Sequence, residues 1–265
     1  MQRILKKLFS GFSPIVLLFR QRFLILQLLR RDIVGRTRGT LLGWLWLIAQ
    51  PALQVIAFWF LLDIVFQMRS PGQVRYLNYF LIGMLPWLYL SEVLNRSINV
   101  LNELAALYQR SRFPVAVLPL LPMVMGLLIY LPVYAGVAFY FQDGLAGLKA
   151  IAIMLLLFVW VIPFAYLLSV FGLFVREVRQ VFPFLLTMIM YVTPILYAPD
   201  ALPESVRWAL AFNPIADLMA LIQGWINGLP VEPGNWVRPL VLWLVLSTPA
   251  WVLFRRSEPH MREVL

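Results

Sequence analysis

The sequence predicts an all-α integral membrane protein with six transmembrane helices. Of its 265 residues, 62% are hydrophobic and only 13% charged, too little charge to cover the surface of a soluble domain of this size. The apolar residues come in blocks that reach or approach the roughly 20 residues a helix needs to cross a bilayer. The basic residues fall unevenly between the connecting loops, as they do in polytopic membrane proteins.

Residues 1–40 carry nine Lys or Arg and one acid, Asp32. Within them, 14–31 reads as an interfacial amphipathic helix. Arg20, Gln27 and Arg31 share one face, and Phe19, Phe23 and Leu26 another, which suits the headgroup layer. Arg20, Arg30 and Arg31 are its candidate surface contacts. The alternative is a plain flank of the first span whose charges only set topology. The first span is 41–66, with Trp44, Trp46 and Trp59 toward its ends, where indoles prefer the interface. The second is 76–98. A polar connector follows, stopped by Pro114. The third span, 115–141, holds Pro119, Pro122 and Pro132, which membrane helices tolerate where neighbours satisfy the freed carbonyls. The fourth is 146–175. The turn 176–180 is charged, and the fifth span is 181–197. Residues 198–235 contain five prolines and two apolar runs, 208–212 and 218–226. These runs are too short to span and predict two short re-entrant or surface helices. The sixth span is 236–254, and the tail 255–265 is polar. The whole of 1–265 reads as one transmembrane domain.

With six spans both termini lie on the same side. Placing them in the cytoplasm puts 17 of the 22 Lys and Arg on that face and 5 outside, the bias that orients membrane proteins. The net charge of +10 is therefore topological and does not point to nucleic acid. No cleavable signal sequence is expected, because the first 40 residues are basic throughout.

An enzyme acting on phosphates or sugars needs clustered acids, histidines or metal ligands. Here twelve acids are scattered, the single histidine is His260 in the tail, and there is no cysteine. The sequence predicts no catalytic, cofactor or metal residues. It has no Gly-rich loop ending in Gly-Lys-Ser or Gly-Lys-Thr, so any ATPase must be another chain. The spans are nearly free of charge, which argues against an ion-coupled carrier. Glu92 and Arg96, one turn apart, are expected to form a local ion pair that eases burial, or else to take part in gating. Phe58 and Trp59 in span one and Tyr191 and Tyr197 in span five are candidate pore-lining aromatics for sugar rings. For most of them ordinary packing or lipid contact is the better account. In the connector, Leu101, Leu104, Ala105 and Tyr108 recur at helical spacing. A short amphipathic helix there suits docking on a soluble partner, or is a plain interfacial turn.

Several stretches resemble the permease subunits of polysaccharide ABC exporters of the ABC-2 (type V) kind, which export O-antigen, capsular polysaccharide or teichoic acid. The resemblance runs through RDIVGRTRGTLLGWLWLIAQP (31–51), YFLIGMLPWLYLSEVLNRSINVLNE (79–103), RSRFPVAVLP (110–119), VREVRQVFPFLLTMIMYVTPILY (175–197) and LPESVRWALAFNPIADLMALIQGWING (202–228). It covers nearly the whole chain. It implies a homodimer enclosing a pore lined by helices one and five, two ABC ATPase subunits beneath that bind ATP and Mg, and a bacterial inner-membrane location. It implies that 101–113 is a cytoplasmic coupling helix, with Leu101, Glu103, Leu104, Tyr108, Arg110 and Phe113 facing the ATPase, and that 198–235 is a periplasmic re-entrant segment. The implied cargo is a lipid-linked polysaccharide, and a periplasmic or outer-membrane export adaptor is a candidate partner. The competing readings are an ABC-2 permease for a drug or small lipid, a membrane-embedded enzyme of glycan assembly, and a non-transporting scaffold.

Overall fold

The computed structural model describes residues 13–67, 76–105, 114–197 and 213–264, and residues 205, 208 and 210 singly between them. All regular structure among the described residues is helical. Helices α1 (Ser13–Arg20) and α2 (Arg22–Thr37) meet at Gln21. A short turn leads into α3 (Trp46–Trp59), whose end widens over Phe60–Val65. Then come α4 (Tyr76–Ser97), the single turn α5 (Val100–Glu103), α6 (Leu120–Phe141), α7 (Gly144–Phe174), α8 (Arg176–Val192), α9 (Pro214–Asn227) and α10 (Pro233–Val264).

Among the described residues, five stretches are long and apolar enough to cross a membrane: Gly43–Val65, Tyr76–Ser97, Val115–Phe141, Gly144–Phe174 and Pro233–Met261. The expected fifth span, 181–197, takes another form. Its helix, α8, starts at Arg176 and ends at Val192, and its 17 residues reach about 26 Å, against a hydrocarbon core of about 30 Å. It ends because Thr193 precedes Pro194, which pushes the preceding residue out of the helical region; Thr193 sits at φ −79°, ψ 132°. The interfacial stretch also differs from 14–31. It is two helices, and the second runs on to Thr37.

Helix α4 is the axis of the fold. It is enclosed on nearly every side, with Tyr79, Phe80, Ile82, Met84, Tyr89 and Leu90 fully buried, and α6, α7 and α9 pack against it. Prolines inside these helices leave carbonyls unpaired, and for two of them a side chain on a neighbouring helix completes the carbonyl. Pro86 cannot donate to the carbonyl of Ile82, and the Tyr134 hydroxyl donates to it instead, at 3.2 Å. Pro163 leaves the carbonyl of Val159, which accepts from the Trp243 indole N–H at 2.9 Å. In a bilayer no water could fill these places, so each aromatic both packs and cross-links.

The helix ends are built locally. The Asp143 side chain accepts from the Ala146 N–H and starts α7. Asn213 caps the Ile215 and Ala216 amides, Pro214 takes the first helical position, and Gly228 at φ +69° closes α9. Asp217 of α9 faces Arg238 of α10 at 3.4 Å. Burial raises the Asp217 carboxyl above the ordinary carboxylate range, and the guanidinium opposes that shift.

Candidate functional site

A cavity of about 560 Å³ lies between α2, α3, α4, α6 and α8. Its walls follow from helical spacing. On α3, Gln50, Gln54 and Phe58 stand at successive turns. On α4, Ser91, Glu92, Asn95 and Arg96 face inward. On α8, Pro183, Thr187 and Tyr191 do so. Arg36 comes from α2 and Tyr130 from α6. Amides, hydroxyls, rings and charges therefore converge on one space in an otherwise apolar bundle.

One end of the cavity is a four-charge network. Arg96 Nη2 donates to Asp32 Oδ2 at 2.9 Å. Arg36 reaches the same carboxylate oxygen at 3.4 Å, and Glu92 Oε1 at 3.5 Å. The expected Glu92–Arg96 pair is thus corrected. The two share a cluster, but Arg96 pairs with Asp32 and Glu92 with Arg36. Spacing along one helix can suggest only intrahelical partners, whereas α2 brings Asp32 and Arg36 across to α4. The charges alternate and cancel, which lowers the cost of placing them at the edge of an apolar core. Arg96 Nη1 and Asn95 Oδ1 are buried and have no partner among the described residues, leaving a donor and an acceptor beside the cavity.

The other residues singled out from sequence are distributed as follows. Phe58 and Tyr191 both line the cavity, from α3 and α8. Trp59 does not; its indole N–H donates to Asp63 Oδ2 at 2.9 Å. Tyr197 does not either; its hydroxyl donates to the carbonyls of Tyr191 and Val192 at 2.8 and 3.0 Å, closing the end of α8. Arg20, Arg30 and Arg31 are exposed on α1 and α2, as are Phe19, Phe23 and Leu26, while Ile25, Leu28 and Leu29 hold α2 to the bundle.

In the connector, Tyr108, Arg110 and Phe113 lie outside the described residues. Leu101 is buried in the bundle, a correction to its expected place on a partner-facing surface. The apolar side of this turn is used to anchor it to its own chain. Glu103 is exposed and Leu104 half-buried. The anchor is close. Asn102 Nδ2 donates to the Gly172 carbonyl at 3.3 Å, and a Cβ at Gly172 would lie 1.8 Å from the Ile98 carbonyl oxygen. Asp32, Tyr130, Asn102 and Gly172 escaped the sequence reading because each acts across a helix contact.

No protein-family model matches the chain. Two curated proteins of Klebsiella pneumoniae, both described as O-antigen export system permease protein RfbA, are 26% and 27% identical to it over 204 residues, 74% of this chain and 77% of each relative. A protein of Myxococcus xanthus with the same description is 26% identical over 213 residues, 78% of this chain and 81% of the relative. This chain resembles O-antigen export permeases. The likeness is to the kind of polysaccharide export permease that the stretches quoted above suggest, and to a transport subunit rather than an enzyme.

Proposed function

We propose that this chain is the membrane-spanning permease subunit of an ATP-driven exporter that moves a lipid-linked polysaccharide across the bacterial inner membrane. A separate ABC ATPase binds and hydrolyses the ATP. The observation that carries the reading is the cavity between α3 and α8, where amides, hydroxyls and the rings of Phe58, Trp87, Tyr130 and Tyr191 converge. A glycan offers hydroxyls to the first two and ring faces to the third. The likeness to O-antigen export permeases supports the same reading.

An apolar 18-residue stretch of the first span is only 6% buried within the chain, against 83% for such a stretch of α4. On α8, Phe184, Leu185, Met188 and Tyr191 are exposed. In this proposal a second copy covers those faces and the two cavities join into one pore. Helix α8, continued by 193–197, serves as the fifth of six spans, with both termini cytoplasmic. The segment 198–235 is then periplasmic and re-entrant, and 101–113 meets the ATPase. The connector anchored at Asn102 and Gly172 passes the ATPase's movement into α4 and α7. An export adaptor in the periplasm would meet 198–235.

The test is to purify the chain with its ATPase partner in lipid nanodiscs and to follow ATP turnover and glycan export together. Tyr108→Asp is expected to abolish stimulation of the ATPase by the permease. Phe58→Ala with Tyr191→Ala is expected to slow export at least tenfold while ATP turnover persists. If export proceeds normally in the double variant, the cavity is not the path. If the ATPase is stimulated normally by Tyr108→Asp, the connector is not the contact.

A further inference from the structure

A second cavity, about 450 Å³, opens on the outside of the bundle between α7, α9 and α10. Two of its walls, α7 and α10, are long and apolar enough to cross a membrane, so the medium around it is hydrocarbon. The lining is almost wholly apolar and includes Trp160, Trp225, Trp236, Trp243, Leu156 and Leu221. Two of the indoles have already used their N–H groups. Trp160 donates to the Pro239 carbonyl at 3.1 Å and Trp243 to the Val159 carbonyl at 2.9 Å. Their rings present carbon to the groove. Trp225 and Trp236 meet edge to face at 6.2 Å, where α9 and the start of α10 converge.

Cations stand at that same end. Lys149 is one turn before Ile153, which lines the groove, and its amine donates to the Trp225 carbonyl at 3.1 Å. Among the described residues no carboxylate lies within ion-pair distance of it. Arg238 is half-exposed and adjacent, but its charge is shared with Asp217 at 3.4 Å. An apolar trough in a lipid-facing wall, with an ammonium at its mouth and aromatics at the level they prefer at an interface, matches one amphiphile: a tail with an anionic head. The geometry points to a seat for a single anionic phospholipid, its acyl chain between α7, α9 and α10 and its phosphate on Lys149. A second copy of the chain is the poorer occupant, because the span its own chain leaves almost wholly uncovered is the first, Gly43–Val65, away from this groove.

Native mass spectrometry of the detergent-purified protein tests this. The protein is titrated with phosphatidylglycerol and, separately, with phosphatidylcholine of the same acyl chains. Wild type is expected to keep one phosphatidylglycerol per chain under activation that strips phosphatidylcholine. Lys149→Ala should weaken phosphatidylglycerol about tenfold and erase the difference between the two lipids, and Lys149→Arg should restore it. Leu156→Trp fills the groove from a position 56% exposed and should lose the retained lipid; Leu221→Trp is the second filling variant if that one does not fold. Equal retention of both lipids by wild type overturns the proposal, as does unchanged retention in a folded filling variant. If filling the groove splits a dimer, a second copy sits there and the proposal is wrong.

Discussion

Gly172 is where the connector between α4 and α6 is pinned to α7, and its replacement by alanine gives a sharp test of that contact. A Cβ built there lies 1.8 Å from the Ile98 carbonyl oxygen, 2.7 Å from its carbon and 2.8 Å from Ile98 Cγ1. Ordinary contact is about 3.5–4 Å, so α7 and the end of α4 must part by roughly 1.5 Å. The nearest obstacle is backbone and cannot rotate aside. Separation would also break the Asn102 bond to the Gly172 carbonyl, now 3.3 Å. Overpacking of this kind costs about 1–3 kcal/mol and sometimes more, and alanine's better helix propensity returns only about 1. With the backbone obstacle placing the cost at the upper end, about 3 kcal/mol, Gly172→Ala should destabilise by about 2 kcal/mol, a fall in Tm of about 4 °C or more, read by tryptophan fluorescence in detergent. Gly136→Ala is the control. It lies inside α6 with nothing within 4 Å of the added carbon, so stability should hold or rise by up to about 1 kcal/mol. If the two variants melt together, the close approach of α7 to Ile98 is not real, and the connector is not anchored as described.

Further expectations concern the proline carbonyls, the charge network and topology. Tyr134→Phe orphans the Ile82 carbonyl and should cost about 1–3 kcal/mol. In a Pro86→Ala background the restored N–H can reach that carbonyl, so the same change should cost clearly less; equal costs in both backgrounds would refute the shared role. Asp32→Asn removes the negative charge that Arg36 and Arg96 share. It should loosen α2 by about 1 kcal/mol, given the partial exposure of the network, and speed amide exchange in Ile25–Leu29 without changing exchange in α6. Alkaline phosphatase fused after residue 110 should be inactive and fused after residue 200 active; the reverse pattern would invert the proposed orientation.

The long helices were legible because hydrocarbon leaves a one-dimensional signature in composition. The end of α8 was missed although it is local, since span five was expected to run to 197 while Thr193 before Pro194 stops the helix at Val192; the run 218–226 likewise fell short of α9, whose ends lie at Asn213-Pro214 and Gly228. The beginning of α8 was missed too. Arg176, Glu177 and Arg179 read as a turn, yet charged residues can form the first turn of a helix whose start reaches the membrane surface. The cavity was half legible. Phe58 and Tyr191 were visible as aromatics on the helices that line it, but Trp59 and Tyr197 have the same composition and face elsewhere. Helix rotation separates them, and rotation is decided by neighbours. Glu92 and Arg96 were correctly singled out as a buried-charge problem, but its solution lies about sixty residues upstream in Asp32, which no periodicity within α4 could point to.

These attachments also divide the molecule mechanically. Helices α4, α6 and α7 are joined by buried contacts, by the Tyr134 bond and by the tight seat of Gly172 on Ile98. Through Arg96 and Asp32 the same block holds α2. A displacement applied to the connector 97–105 must therefore move α4 and α7 together, since a close-packed interior transmits strain rather than absorbing it. The first span, with almost no burial in its own chain, and α8, exposed along Phe184, Leu185, Met188 and Tyr191, are the cavity walls with the weakest hold on that block. The cavity changes shape only if its walls move relative to one another. In the proposed exporter, then, the connector drives a block that is rigid by packing, and the path widens where α3 and α8 part from it.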